Sequence, residues 1–374
     1  MSAQQPYQIC KRCVMDTTDP DIFFDKEGIC NHCRKYDQLI ETYLTPNIEQ
    51  DNITPILNAI QKDGKGREYD CIIGISGGLD SSYLAYYANK MGLRPLAIHL
   101  DNGWDSELAV KNIETLLNRL TIDLDTYVID WNAFRDLQLA FLRASTPDGE
   151  IPSDHAISSI LFQKAKKYQI KWILYGNNIR TESHGVQAWS QGYNDWRYIK
   201  SVHDRFGTVP LSNYPYNAFL ERFYYLIKYK RVPVLNFIPY SKERAIKDLE
   251  KEVGWRYYGE KHYESIYTRF HHGYILPTKF GYDKRKSHYS SLICSGEMTR
   301  DKALSELQKI PYSQEIMEQD KEYVTQKLGI SLEEFNQIIH LPNKTIYDYP
   351  SYQRILMHPL LKKTARNYYS NLVK

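Results

Sequence analysis

The chain has 374 residues, which is enough for two or three modules with a sizeable buried core. Its 42% hydrophobic and 25% charged residues suit a folded soluble protein, and a net charge of +3 is too weakly basic for a dedicated nucleic-acid binder. The absence of an apolar run of about 18 residues excludes a membrane-spanning helix. The opening MSAQQPYQ lacks the basic-then-apolar pattern of a secretory signal, so a cytoplasmic protein is expected. The 32 tyrosines point to half-buried packing area more than to stacking surfaces for sugars or bases.

Four of the six cysteines fall in the first 33 residues as Cys10-Lys-Arg-Cys13 and Cys30-Asn-His-Cys33. Two C-x-x-C knuckles at this separation can place four thiolates tetrahedrally about one Zn²⁺, with the residues between them forming a ribbon. Four sulfur ligands leave no open position, so the metal is expected to be structural. His32, beside Cys33, is expected to support the site or face solvent rather than bind the metal.

A polar linker containing Pro46, Pro55 and the run Lys62-Asp-Gly-Lys-Gly-Arg67 follows. Cys71 to Ser76 then forms a short apolar run with strand character, and from Asp80 onward Leu84, Ala85, Ala88 and Met91 recur at helical spacing. A strand thus passes into a helix across Ser76-Gly-Gly-Leu-Asp-Ser-Ser82. Glycine lets the backbone approach a ligand closely, and the free amides of a first helical turn favour an anion. The alternation continues with a strand at Pro95–Asp101, a helix at Ser106–Arg119, a strand at Asp125–Asp130, a helix at Asp154–Tyr168 and a strand at Lys171–Gly176. This spacing predicts an α/β fold with a parallel, doubly wound sheet, in which ligands bind at the carboxyl ends of the strands. Ser76, Asp101 and Gly176 lie at those ends.

The loop fits neither a Walker A spacing nor G-x-G-x-x-G. S-G-G-x-D-S-S after a first strand instead resembles the PP-loop of the ATP pyrophosphatases, the superfamily of GMP synthetase, asparagine synthetase, NAD synthetase and the tRNA-thiolating enzymes. That resemblance implies cleavage of ATP between the α and β phosphates. Ser76, Gly77, Gly78, Ser81 and Ser82 would grip pyrophosphate, and Asp80 would hold Mg²⁺ on the phosphates.

Further along, Gly259-Glu-Lys-His-Tyr-Glu-Ser265, Thr268-Arg-Phe270, Leu276-Pro-Thr-Lys-Phe-Gly-Tyr-Asp-Lys-Arg-Lys286 and Ser290-Ser-Leu-Ile-Cys-Ser-Gly-Glu-Met-Thr-Arg-Asp-Lys-Ala303 occur in order behind the cysteine ribbon. Over residues 8 to 310 this series resembles the N-acetyl sugar amidotransferase family of bacterial surface-polysaccharide and nonulosonic acid biosynthesis. The resemblance implies conversion of an acetamido group on a sugar, expected to be nucleotide-linked, into an acetamidino group. ATP would adenylate the amide oxygen, ammonia would displace AMP, and ATP, Mg²⁺ and one structural Zn²⁺ would be required. No cysteine stands in a glutaminase context, so ammonia is expected from a separate glutaminase subunit, with a barrel-type partner as a further member.

Three domains are expected: a zinc ribbon at 1–48, a PP-loop domain at 49–240 and a mainly helical C-terminal region at 241–374. In that last region Ser241–Val253, Thr299–Leu307 and a segment opening with Ser331 and Glu334 have helical patterns. Asp101 and Gly176 are candidates for the ATP site, and Glu182 for sharing Mg²⁺ with Asp80, with His184 nearby. Lys279, Lys284, Arg285 and Lys286 form a basic cluster that suggests phosphate contact, chiefly through Lys284 and Arg285. Lys261, His262, Glu264, Thr268 and Arg269 are candidates for the sugar side. Cys71 and Cys294 are read as structural. The competing readings are a PP-loop tRNA-thiolating enzyme, which would need a basic groove and a cysteine near ATP, and a non-catalytic zinc-ribbon adaptor.

Overall fold

Short aliphatic runs alternating with amphipathic helices build a parallel sheet covered on both faces. The computed structural model describes residues 6–43, 53–259 and 263–353. The N-terminal ribbon ends in α1 (Asn31–Tyr43), and α2 (Thr54–Asp63) leads into the sheet. The central run is β1 (Cys71–Gly74), α3 (Leu79–Lys90), β2 (Pro95–Asp101), α4 (Glu107–Leu120), β3 (Leu124–Val128), α5 (Trp131–Ala144), α6 (Ile151–Lys167), β4 (Trp172–Tyr175), α7 (Ile179–Glu182), α8 (Trp196–Phe206), α9 (Phe219–Lys228) and β5 (Lys230–Pro233). The C-terminal region comprises α10 (Lys242–Val253), α11 (Ile266–Phe270), α12 (Lys284–Cys294), α13 (Arg300–Leu307), α14 (Gln314–Leu328) and α15 (Leu332–Ile339), with a π-helical stretch at His271–Phe280.

The five strands run in the order β3-β2-β1-β4-β5, and every pairing is parallel. Side chains alternate across the strands and so feed two cores. Ile72, Ile98 and Ile173 pack under α5 and α6, while Cys71, Ile73, Ala97 and Leu174 pack under α3 and α4. Chain order reverses between β1 and β4, which opens a crevice above their carboxyl ends. The loop at Ser76–Ser82 leaves β1 at this point.

β2 has the expected limits, and Ser106, Thr299 and Ser331 cap their helices by accepting backbone N–H bonds from Ala109, Lys302 and Glu334. β5, with sequence KRVP, adds an edge strand that its composition conceals; an edge position tolerates its proline. The expected boundary at 240 falls before a helix of the sheet layer. Ala245, Leu249 and Val253 of α10, with Trp255, enter the core shared with α3 and α4, so that layer continues to about residue 255.

The ribbon packs Met15 and Ile22 against Val186 and Trp189. It is fastened to the C-terminal region by polar contacts: Val14 N–H donates to Ser290 Oγ at 3.2 Å, and Arg300 donates to the carbonyls of Cys10 and Cys13, each at 3.0 Å. No helix among the described residues is long and apolar enough to cross a membrane.

Candidate active site

The loop after β1 is shaped by its glycines and serines. Gly77 has φ +75°, and a Cβ there would collide with the carbonyl of Ala109 in α4. Its own carbonyl accepts from Trp255 Nε1 at 3.1 Å. Ser76 and Ser81 hydroxyls lie 3.1 Å apart, and Ser76 Oγ accepts the Gly78 N–H at 3.3 Å. Gly176, at the end of β4, lets the chain pass close by, since a Cβ there would lie 2.9 Å from the Asp80 carbonyl oxygen.

Three cavities meet above this edge of the sheet. The first, about 210 Å³, is lined by Ser76, Gly78, Leu79, Asp80 and Ser81 of the loop and by Gly176, Glu182, Tyr240, Lys242, Tyr258 and Glu264. Tyr240 OH donates to Asp80 Oδ1, and burial together with the Asp80 charge raises the Tyr240 phenol far above its ordinary range. Tyr258 OH accepts the Leu79 N–H at 2.9 Å.

The second cavity, about 430 Å³, runs over the ends of β1, β2 and β4 and shares Ser76, Gly176 and Glu264 with the first. Asp148, Glu150 and Asp154 line it opposite Lys284. Burial raises the Asp154 carboxyl well above the usual range, and Asp148 and Glu150 add to the effect; the Lys284 charge opposes it. Glu150 is pushed up to about 7, mainly by burial, although its Oε2 accepts from Thr268 Oγ1 at 2.6 Å. Its other oxygen, Oε1, is buried without a partner.

A raised carboxyl pKa means that the folded protein holds the Glu150 proton more tightly than the unfolded chain. The stability this gives is complete below the unfolded pKa of 4.5 and is lost as pH rises toward about 7. That shift corresponds to roughly 3 kcal/mol. Glu150→Gln is therefore expected to flatten the fall in melting temperature between these pH values, with Asp148 and Asp154 keeping part of the slope. Identical slopes in the two proteins would contradict the placement of this carboxyl.

The third cavity, about 350 Å³, lies between the C-terminal region and the chain at Thr181, Glu182 and Gly185. It shares Thr181, Glu182 and His288 with the first cavity and His272 and Lys284 with the second, and reaches Tyr263, Tyr289 and Tyr312.

The residues for metals fit their expected ions. Sulfur separations of 3.9 Å for Cys10–Cys33, 3.6 Å for Cys13–Cys30 and 3.7 Å for Cys30–Cys33 suit a tetrahedron whose edge is about 3.8 Å for zinc–thiolate bonds, and all four cysteines are fully buried. His32 takes no part: its Nε2 lies 2.6 Å from Asp19 Oδ2. Asp80 and Glu182 line one cleft and offer the hard oxygen donors that Mg²⁺ prefers.

Ser76, Gly78, Asp80, Ser81 and Gly176 thus come together, with Glu182 and Glu264 beside them. Gly77 and Ser82 do not line the cleft: Gly77 backs onto α4, and Ser82 is fully buried. Asp101 lines none of the three cavities, and its carboxylate instead accepts the Gly103 N–H at 2.9 Å. His184 turns away from the magnesium candidates toward the ribbon, with Nε2 3.8 Å from Cys33 Sγ. Lys261 and His262 lie outside the described residues.

The basic cluster is divided rather than shared. Lys279 donates to the carbonyls of Ile338, Ile339 and Leu341; Lys286 reaches Asp16 of the ribbon at 2.5 Å. Arg285 pairs with Asp283 and donates to the carbonyls of Glu306 and Lys309, so its guanidinium braces the C-terminal region; neither it nor Lys284 lines the loop cleft, but both line the third cavity. Arg269, expected on the sugar side, lines the third cavity while making a two-bond pair with Asp320 at 2.8 and 2.6 Å. Among the described residues the lysine at the loop cleft is Lys242, in the first turn of α10, which sequence reasoning missed, as it missed Tyr240, Tyr258 and the three acids of the second cavity. The acidic run Asp148-Gly-Glu150 ahead of Asp154 was the available signal for the acids.

Sheet order and loop geometry define the class: a doubly wound parallel α/β protein whose Ser-Gly-Gly-Leu-Asp-Ser-Ser loop leaves β1 at the point where strand order reverses. Residues 264–364 match the family model described as "LPS biosynthesis protein WbpG-like, C-terminal domain". Two solved structures are similar in fold: NMN synthetase from Francisella tularensis, at 14% identity, 75% coverage of this chain, 95% of that chain and a TM-score of 0.31, and NH3-dependent NAD synthetase from Campylobacter jejuni in complex with the nitrate ion, at 12%, 79%, 97% and 0.29. No curated protein matches the chain.

Proposed function

We propose that this chain is the ammonia-using subunit of an amidotransferase of lipopolysaccharide biosynthesis, converting the acetamido group of a nucleotide-linked sugar into an acetamidino group. The observation that carries this reading is the meeting of three cavities, one at the loop after β1, one lined by Asp148, Glu150 and Asp154, and one lined mainly by the WbpG-like region. Each suits one participant. The loop cleft takes the β and γ phosphates, the cavity over the strand ends takes the adenylate, and the C-terminal cavity takes the sugar nucleotide.

An amide oxygen is a poor leaving group, so it must first bond to the α phosphorus of ATP, releasing pyrophosphate. The Gly78 backbone and the Ser76 and Ser81 hydroxyls would receive that pyrophosphate, with Lys242 beside them to offset its charge. Mg²⁺ on Asp80 and Glu182 would neutralise phosphate charge. Glu150, with a pKa near neutrality and a partnerless oxygen, is suited to take a proton from ammonium, leaving neutral ammonia to add to the imidate carbon and expel AMP. Lys284 faces the same cavity and would steady the negative charge of these acids.

Cys294 lines none of the three cavities, which counts against thiolation chemistry. Ammonia would come from a separate glutaminase subunit, for which ammonium salt should substitute. Incubating the chain with acetamido sugar nucleotides, ATP, Mg²⁺ and ammonium is expected to yield AMP and a product in which NH replaces O by mass. Formation of ADP, or strict dependence of the single chain on glutamine, would contradict the proposal.

A further inference from the structure

We propose that Cys33, His184 and Cys294 hold a second Zn²⁺, with the Cys33 sulfur shared between it and the metal of the four-cysteine set. These three residues come from α1, the turn after α7 and the end of α12, yet their ligand atoms converge. Cys33 Sγ and Cys294 Sγ lie 3.6 Å apart, and His184 Nε2 lies 3.8 Å from the first and 3.7 Å from the second. Ligands around a tetrahedral zinc, at ordinary zinc–sulfur and zinc–nitrogen lengths, are separated by about 3.6–3.8 Å.

Hydrogen bonding around His184 points the same way. The ring is fully buried, with Nδ1 3.0 Å from Ser183 Oγ and 3.2 Å from Ser291 Oγ. Ser291 spends its proton on the Ser287 carbonyl at 3.1 Å and accepts the His184 N–H at 3.1 Å. Ser183 in turn donates to Ser291 Oγ at 3.3 Å. With its own proton spent on Ser291, Ser183 Oγ faces Nδ1 as an acceptor, which places the ring proton on Nδ1 and turns the Nε2 lone pair toward the two sulfurs. A metal-binding histidine needs this tautomer and this kind of support.

Charge is consistent as well. Four thiolates about one Zn²⁺ leave two negative charges buried, whereas adding the Cys294 thiolate with a second Zn²⁺ leaves one. A solvent molecule would complete the second metal's coordination. The site would join the ribbon to the helix whose first residue, Lys284, lines the proposed reaction cavity, so it would act as a clasp between the zinc module and the WbpG-like region. It stands independently of the reaction proposed above.

Zinc content of the purified full-length chain, measured by plasma mass spectrometry with native mass spectrometry of the same sample, tests this. Two zinc ions per chain are expected, falling to one in His184→Gln and in Cys294→Ser. One zinc in the wild type would overturn the proposal, as would two retained in both variants. If Cys294→Ser fails to fold, the wild-type count and His184→Gln decide. In the cobalt-substituted protein, magnetic coupling between the two ions is expected through the shared sulfur; two uncoupled cobalt ions would overturn the sharing.

Discussion

Asp80→Asn is expected to reduce AMP formation on the order of 10³-fold or more while leaving the fold and the zinc content unchanged. Asp80 sits in the first turn of α3, at the mouth of the loop cleft, where its carboxylate accepts from Tyr240 OH. Asparagine preserves the shape and an acceptor oxygen for Tyr240, so the packing below should survive. It removes the negative charge that would hold Mg²⁺ on the phosphates, and the Glu182 carboxylate alone is a poorer site. AMP release measured at saturating ATP and ammonium, beside the thermal melt of the same sample, separates the two effects. Turnover within a few-fold of wild type would show that the phosphates are held elsewhere.

Gly77→Ala is expected to have the largest effect on stability. The residue has φ +75°, which strains any L side chain, and its added methyl would meet the Ala109 carbonyl, whose carbon would lie 2.9 Å away. The obstacle is backbone in the first turn of α4, at the fully buried Ala109, so it cannot rotate aside. The Trp255 Nε1 bond to the Gly77 carbonyl ties the loop to the residues after α10, and moving the loop would break that bond too. A loss of about 2–4 kcal/mol is expected, with loss of AMP formation in whatever folded protein remains. A melt indistinguishable from wild type would mean that the loop is not pressed against α4.

The distinction between these variants reflects what was legible in the sequence. The glycines and serines of residues 76–82 announce a loop at a strand end because only such residues permit its backbone. The knuckle spacing of Cys10, Cys13, Cys30 and Cys33 likewise encodes a local tetrahedron. β2 was legible at both ends because Pro95 and Asp101 bound a run that is apolar except for His99. β5 was not: at the sheet edge its Lys230 and Arg231 face solvent, so burial leaves no trace in the composition.

Three consecutive basic residues diverge for a geometric reason. Lys284, Arg285 and Lys286 look like one patch, but on a helix successive side chains point about 100° apart. Lys284 and Arg285 both line the third cavity, Lys284 also facing the acids and Arg285 bracing the region after α13, while Lys286 reaches the ribbon. Asp148, Glu150 and Asp154 look like ordinary solvated acids around a helix start, and only the tertiary enclosure by Thr268, Ser190 and Lys284 makes them unusual. The convergence of Cys33, His184 and Cys294 spans 261 residues of chain, a distance over which no periodicity carries information.

The central claim is that the acetamide oxygen leaves on AMP. Substrate labelled with oxygen-18 at the acetamido carbonyl, supplied with ATP, Mg²⁺ and ammonium, tests it most directly through the mass of the nucleotide product. The label is expected in the phosphate of AMP, at one oxygen for each acetamidine formed; unlabelled AMP accompanying product, or label released to water or inorganic phosphate, would contradict the account.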